Sequence, residues 1–239
     1  MLEFRGLSKA YPSKNGAVQA VAAAEGLITP GELVALSGPS GSGKTTLLLM
    51  LGLVESPDSG YLALNGKTLI KGGRRLLDVR AERRANIGYI FQRPNLIPFL
   101  SAIENILVLE GLLMQQDKRL RARALGLMEN LGIRHLQDRL PSQMSGGEQQ
   151  RVAICRALIN SPKLICADEP TAALDGARAD SVVTALREAV EDQECAAIVS
   201  THDSRLLHLF DRILKIEDGV MDHASSGSKT VVPIIGARS

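Results

Sequence analysis

Gly38-Pro39-Ser40-Gly41-Ser42-Gly43-Lys44-Thr45 fits the spacing G-x-x-x-x-G-K-[ST] at every fixed position. The chemistry such a run performs is phosphate binding. Glycines let the backbone curl so that several N–H groups point at one place, and a helix starting there adds its dipole. On this spacing Lys44 reaches the β- and γ-phosphates of a nucleoside triphosphate, and the Thr45 hydroxyl sits on Mg²⁺. Glu32–Ser37 is a short apolar strand entering the loop, and the run from Thr46 to Leu51 is a helix leaving it. A Gly/Ser-rich connector that matched by chance would lack both flanks.

Two other runs carry chemistry. Lys163-Leu164-Ile165-Cys166-Ala167-Asp168-Glu169 is an apolar strand ending in two acids. A strand end in an α/β sheet is where ligands bind. There Asp168 can hold Mg²⁺ through its water shell and Glu169 can polarise a water as general base. The plainer alternative is a pair of acids capping the next helix. Ser145-Gly146-Gly147-Glu148 opens a helix, and Ser145 with Glu148 three residues on has the spacing of a capping box. A capped helix still offers free N–H groups, so the run also reads as a second anion site. Two phosphate-binding surfaces in one chain imply that each completes the site of a neighbour. His202 follows the apolar run Ala196–Ser200. Its neutral ring can hydrogen-bond a γ-phosphate or hold water, although an isolated histidine is more often merely solvated.

The elements that must position these residues follow from the pattern. Short strand-like runs fall at Leu2–Phe4, Val18–Ala22, Leu33–Leu36, Tyr61–Leu64 and Ile87–Phe91, with turn signals between them. Lys67 to Arg84 is basic and polar and reads as a loop followed by a short helix. From about Ser101 to Leu140 apolar residues recur at helical spacing: Ile103, Ile106, Leu107, Leu109, Leu112 and Leu113, then Leu120, Ala124, Leu127, Met128 and Leu131. This predicts a helical lobe inserted into an α/β core. Leu164–Ala167 and Ala196–Val199 are continuous apolar runs, as parallel strands buried on both faces require. His223 to Ser239, rich in Ser and Gly, reads as a mobile tail.

Bulk composition narrows the partners. The chain has 239 residues, 45% of them hydrophobic, enough for one large domain or two small lobes. Trp is absent and aromatics are 3%, which argues against base stacking on nucleic acid. A net charge of +2 predicts no polyanion partner. Cys155, Cys166 and Cys195 are scattered, without metal-ligand spacing, and read as reduced, packed thiols. No apolar run approaches the roughly 18 residues of a membrane span, and the N-terminus lacks a signal-peptide pattern.

Taken together, these motifs resemble the ATP-binding cassette (ABC) family of transporter ATPases, over Met1 to about Asp222. The resemblance implies a P-loop NTPase (RecA-like) core with an antiparallel β subdomain, about 1–91 and 155–222, and a helical subdomain at about 92–154. It implies an ATP site built from Gly38 to Thr46, with Tyr11 stacked on adenine. Gln92 matches the glutamine that contacts Mg²⁺ and the attacking water. Met144 to Arg151 matches the family signature, so Ser145, Gly146, Gly147 and Glu148 would touch ATP held by a second subunit. Asp168 and Glu169 match the metal aspartate and catalytic glutamate. Leu174-Asp175 matches the loop crossing the dimer interface, and His202 the switch histidine. Arg151 reads as a structural or interface residue. Met144, Glu148 and Ala172 depart from the commoner Leu, Gln and Ser, which bears on contacts across the dimer and leaves the hydrolytic residues intact.

The same resemblance implies a mechanism and partners. Two cassettes, from a homodimer or a paralogous pair, would close head to tail on two ATP molecules and open after hydrolysis, driving a separate integral-membrane permease. That places the chain in the cytoplasm, peripheral on the inner face of the cell membrane. Phe91 to Ile106 is similar to the branch of lipoprotein-release, macrolide-export and heterocyst-glycolipid-export ATPases, and in the family this region docks the permease. Export or lipid extrusion is thus the expected role. The alternatives are an ATPase of a division or signalling complex that moves no solute, and a soluble ABC protein of DNA repair or translation control. The soluble class usually carries a long coiled-coil insertion or two cassettes in one chain, and neither is present here.

Overall fold

The computed structural model describes residues 1–14, 16–108, 117–172, 174 and 176–222. Asp175, the apolar positions Leu109, Leu112 and Leu113, and the stretch 223–239 lie outside the described residues. The chain runs β1 (Leu2–Ser13), β2 (Gly16–Ile28), β3 (Leu33–Ser37), α1 (Lys44–Leu51), β4 (Ser59–Leu64), β5 (Lys67–Lys71), β6 (Arg74–Arg75), α2 (Val79–Asn86) and β7 (Ile87–Ile90). It continues α3 (Ala102–Leu107), α4 (Lys118–Asn130), α5 (Gly146–Leu158), β8 (Leu164–Asp168), α6 (Gly176–Gln193), β9 (Ala196–Thr201), β10 (Arg212–Glu217) and β11 (Val220–Asp222).

The strands form one sheet in the order β6-β5-β4-β1-β2-β11-β10-β3-β9-β8-β7. The half from β6 to β2 is antiparallel. The half from β10 to β7 is parallel. The two halves join through Val220 beside Ala22. Every residue of β8 and β9 is buried, as the unbroken apolar runs predict. Alternation then divides these strands between two cores. Val34, Leu36, Leu164, Cys166, Ala196 and Ile198 face α1 and the antiparallel strands. Leu33, Ala35, Ile165, Ala167, Ala197 and Val199 face the side of α3 to α6. All three cysteines are free and buried, and burial pushes the Cys195 thiol up to about 11.

Several sequence expectations change. The short runs Leu2–Phe4 and Val18–Ala22 are parts of one long ribbon, β1 with β2. Register shifts along it and positive φ at Gly6 and Ala23 let the ribbon twist without breaking. The stretch from Lys67, read as a loop before a helix, contains the β5–β6 hairpin. Gly72 (φ 59°) and Gly73 (φ 73°) form its two-residue turn, which needs positive φ at both positions. The helix expected from Glu148 begins at Gly146, and α5 runs through Leu158, so a subdomain boundary at 154/155 would fall within one helix.

Candidate functional site

The parallel strands deliver their C-terminal ends to one edge of the sheet. Ser37 at the end of β3 lies opposite Thr201 of β9, and Asp168 at the end of β8 lies opposite Ser200. The loop Gly38–Gly43 leaves β3 there and enters α1. Gly43 caps α1 at φ 104°, and a side chain at this position would place its Cβ 2.2 Å from the Ala20 carbonyl oxygen. Only glycine fits. Gly38 is as confined, with a Cβ position 2.1 Å from the Ile216 carbonyl. No side chain caps the first turn of α1 and no acid sits in it, so its free N–H groups face the loop's interior.

Lys44 is buried, and its Nζ donates to the carbonyls of Gly38 (2.8 Å) and Pro39 (2.7 Å). An ammonium has three donors, so one remains for another acceptor. Ser42 is buried and its Oγ has no hydrogen-bond partner. An open cleft of about 300 Å³ lies over the loop, lined by Ala20, Ser40, Gly41, Gly43, Lys44, Thr45, Thr46, Gln92 and Glu169.

Across this cleft the acids converge. Thr45 Oγ1 donates to Asp168 Oδ1 at 3.2 Å. Ser200 Oγ donates to the same Oδ1 at 2.7 Å and accepts the Glu169 N–H at 2.8 Å. Ser200 is fully buried, so it fixes both acids from beneath. Glu169 has φ 44°, a left-handed backbone rare outside glycine, and the Ser200 bond helps hold it there. Its side chain receives Gln92 Nε2 on Oε2 at 3.3 Å and meets His202 Nδ1 at Oε1, 3.1 Å away. His202 is 59% exposed against 18% for Glu169, so the imidazole is the accessible member of the pair. Next to it, Asp203 caps a short 3₁₀ turn, and the Arg205 guanidinium holds its carboxyl down at about 2.

The other expected residues lie apart from this cluster. Tyr11 sits on β1 opposite Val18 of β2, with Lys9 Nζ 5.5 Å from its ring centroid. It does not line the cleft. Ser145 caps α5: its hydroxyl accepts the Glu148 N–H, while the Glu148 carboxylate accepts from the Ser145 N–H (2.7 Å) and hydroxyl (2.8 Å). These two bonds hold the Glu148 carboxyl below its ordinary range. Gly146 is exposed with open space above it, whereas a Cβ on Gly147 would lie 2.8 Å from Leu174 Cδ2. Leu174 therefore rests on the signature run of its own chain. Arg151 Nε is buried without a partner.

The chain spans known proteins closely. The family described as ABC transporter matches residues 23–172. The lipoprotein-releasing system ATP-binding protein LolD 2 of Caulobacter vibrioides is 40% identical over 93% of this chain and 96% of its own. The chain belongs to the ABC transporter family.

HrtA of Staphylococcus aureus, an ATP-binding protein named for hemin import, is 44% identical over 80% of this ABC chain and 86% of its own. A dimeric, post-hydrolysis structure of the ATP-binding cassette MJ0796 with ADP and Pi superposes with a TM-score of 0.85 at 33% identity, covering 97% of this chain and all of that one. The ABC cassette fold is thus the one its solved relatives have, and the protein is the ATP-hydrolysing subunit of an ABC transporter. Sequence reasoning missed two residues of the site, Ser200 and Ala20. A signal existed for Ser200, since it ends an apolar run two residues before His202. Ala20 had none, because its contribution is a backbone carbonyl against Gly43.

Proposed function

We propose that this ABC ATPase hydrolyses ATP with Glu169 as the general base, at a site completed by a second cassette. The observation that carries the reading is the convergence of Gln92 and His202 on the two carboxylate oxygens of Glu169. The loop amides from Gly38 to Thr46 and the Lys44 ammonium hold the triphosphate, with Tyr11 against adenine. Glu169, held from two sides, accepts a proton from a water aligned by Gln92 and His202. That water's oxygen bonds to the γ-phosphorus as the bond to the β,γ-bridging oxygen breaks, leaving ADP and phosphate.

Thr45 and Asp168 fit Mg²⁺, since a hydroxyl and a carboxylate are the hard oxygen donors it prefers. Among the described residues no three His, Cys, Asp or Glu side chains could hold an ion alone, so phosphate oxygens and water would complete the shell. The ion would neutralise charge on the phosphates. Gln92 would stand at the edge of this shell.

Ser145, Gly146, Gly147 and Glu148 contact ATP bound to the partner cassette, a second copy or a paralogue, with Leu174 and Asp175 at the interface. In support, the solved relative with ADP and Pi is dimeric. Among the described residues no helix is long and apolar enough to cross a membrane. Attachment on the cytoplasmic face through a permease accords with that. Phe99, 76% exposed, supplies an apolar contact in the segment assigned to permease docking. LolD 2 and HrtA are named for different cargo, so the permease selects the solute. LolD 2 aligns over more of the chain and HrtA at higher identity, so the likeness of Phe91 to Ile106 to the lipoprotein-release branch is what favours export of a lipid-linked cargo.

The test is Glu169→Gln. It should keep ATP affinity and lower kcat about 100-fold or more, the usual weight of a general base. With ATP it should accumulate as a dimer on size exclusion. Steady-state hydrolysis at the wild-type rate would remove Glu169 from its role.

A further inference from the structure

β1 loses its β4 neighbour before it reaches Tyr11, since the last pair between the two strands is Ser8 with Ser59. Asp58 carries the ladder one step further. Its N–H donates to the Ser8 carbonyl at 2.8 Å, and its carboxylate Oδ2 accepts the Ala10 N–H at 2.8 Å. On the other edge β2 pairs Ala10 with Gln19 and Tyr11 with Val18, after a register shift between Lys9 and Ala10. Gln19 spans that shift, its Nε2 donating to the carbonyls of Lys9 (3.3 Å) and Val21 (2.5 Å). Tyr11 is thus held from both edges, and its partner Val18 lies two positions along β2 from Ala20, which lines the phosphate cleft.

Lys9 is the unusual member. A lysine near the surface ordinarily keeps its ammonium in water, but this side chain is only 14% exposed. Its Nζ meets the Ser56 carbonyl at 2.9 Å, Glu55 Oε1 at 3.1 Å and Asp58 Oδ1 at 3.3 Å. Three donors meet three acceptors, so, unlike Lys44, none is left for a phosphate. What remains is the charge, and it lies over the Tyr11 ring. A cation there is held by the ring quadrupole and draws π density to its own face. A purine stacking on the opposite face then meets less repulsion between two π clouds. The acceptors around Lys9 come from the turn that leaves α1. The N–H groups of Val54 and Glu55 both donate to the Leu49 carbonyl, at 2.9 and 3.0 Å. That turn is therefore fastened to the C-terminal end of the helix whose N-terminus faces the phosphate loop.

We propose that Lys9, Glu55 and Asp58 are positioning residues for the nucleotide base: the two acids hold the Lys9 ammonium on one face of Tyr11 and leave the other face to adenine. One helix then spaces both ends of the site. The phosphate amides lie at the start of α1 and the anchors of the base platform follow its end, with eight residues, about 12 Å, of helix between them. A nucleotide whose phosphates sit on the loop meets a ring already fixed in place, so little ordering is left to binding. This rests on the reading of Tyr11 as the adenine contact given above.

The experiment titrates the full chain, with Mg²⁺ present, with ATP and with inorganic tripolyphosphate, which has no base, and records the melting temperature. Lys9→Met keeps the stem but loses the charge, and Asp58→Ala removes both the ion pair and the acceptor for Ala10. Each should weaken ATP binding about three- to fivefold and leave tripolyphosphate within about 1.5-fold. Tyr11→Ala should weaken ATP binding about tenfold. In that background Lys9→Met should add less than about 1.5-fold, because the ring it positions is gone. Equal losses for both ligands, or losses that multiply in the double variant, would show a general structural role and overturn the proposal. So would wild-type ATP affinity in both single variants when Tyr11→Ala is impaired. Full ATP affinity in Tyr11→Ala itself would instead remove the reading of Tyr11 on which the proposal stands. If Asp58→Ala melts early, Lys9→Met decides the cycle alone.

Discussion

The N-termini of α1 and α5 present the same helix dipole and treat it in opposite ways. At α1 the cap is Gly43, with no side-chain bond and no acid in the first turn. The Ala20 carbonyl bars any larger residue, so the amides of α1 can be satisfied only from outside. At α5 the chain supplies its own anion, since the Glu148 carboxylate closes on Ser145. A phosphate can therefore meet α1 directly, whereas at α5 it must share or displace Glu148. The α3 helix sharpens the point. Ser101 and Glu104 form the same box there, but the next two residues, Ala102 and Ile103, are buried. After Ser145 come Gly146 and Gly147, with the first open to approach. Similar local chemistry leaves one helix start closed and the other accessible.

The comparison can be broken at several points. Lys44→Ala should weaken ATP binding most, by about 10- to 100-fold, the weight of a charge-assisted hydrogen bond. An unchanged dissociation constant by nucleotide titration would end the claim for α1. Ser145→Ala should leave ATP affinity of the single cassette within twofold but abolish ATP-dependent dimers in the Glu169→Gln background. Ser101→Ala is the control, with a similar stability loss of about 1 kcal/mol and dimers retained. If both serine variants dimerise alike, α5 is only a capped helix.

Smaller effects come from Glu148. Glutamine can still close a capping box but carries no charge to oppose a phosphate. Glu148→Gln should tighten ATP-dependent dimerisation several-fold, read by analytical ultracentrifugation; weakening would mean the carboxylate assists the partner's nucleotide. The smallest effect is in pH. Glu148 has its pKa depressed in the folded chain, so its stabilisation is complete above the unfolded value of about 4.3 and fades as pH falls through the folded one. Wild type should lose that increment on acidification and Glu148→Gln should not, in parallel thermal melts.

Much of the fold was legible because the determining patterns are local. The unbroken apolar runs of β8 and β9 announce strands buried on both faces, and they are so buried. The β5–β6 hairpin was missed although Gly72-Gly73 marked it, since the flanking basic residues obscured any alternation. The length of β1 and β2 was hidden for another reason: a twisting ribbon with register shifts has no simple period. In the site, the runs around Lys44, Asp168 and Ser145 named themselves by spacing. Ser200 and Lys9 did not, because each acts on a partner 31 to 49 positions away.

By itself, the amino-acid order determined that this chain has a phosphate loop, two acids at a strand end and a serine-capped helix start. Those are short-range consequences of glycine, side-chain length and periodicity. Only the tertiary structure decided that Gln92, His202 and Ser200 meet at one glutamate. It also decided that Gly43 must be glycine because β2 passes over it, and that the turn after α1 holds Lys9 over Tyr11. These depend on which strands lie side by side and in what register, and that is set by how the two cores close, not by any local run.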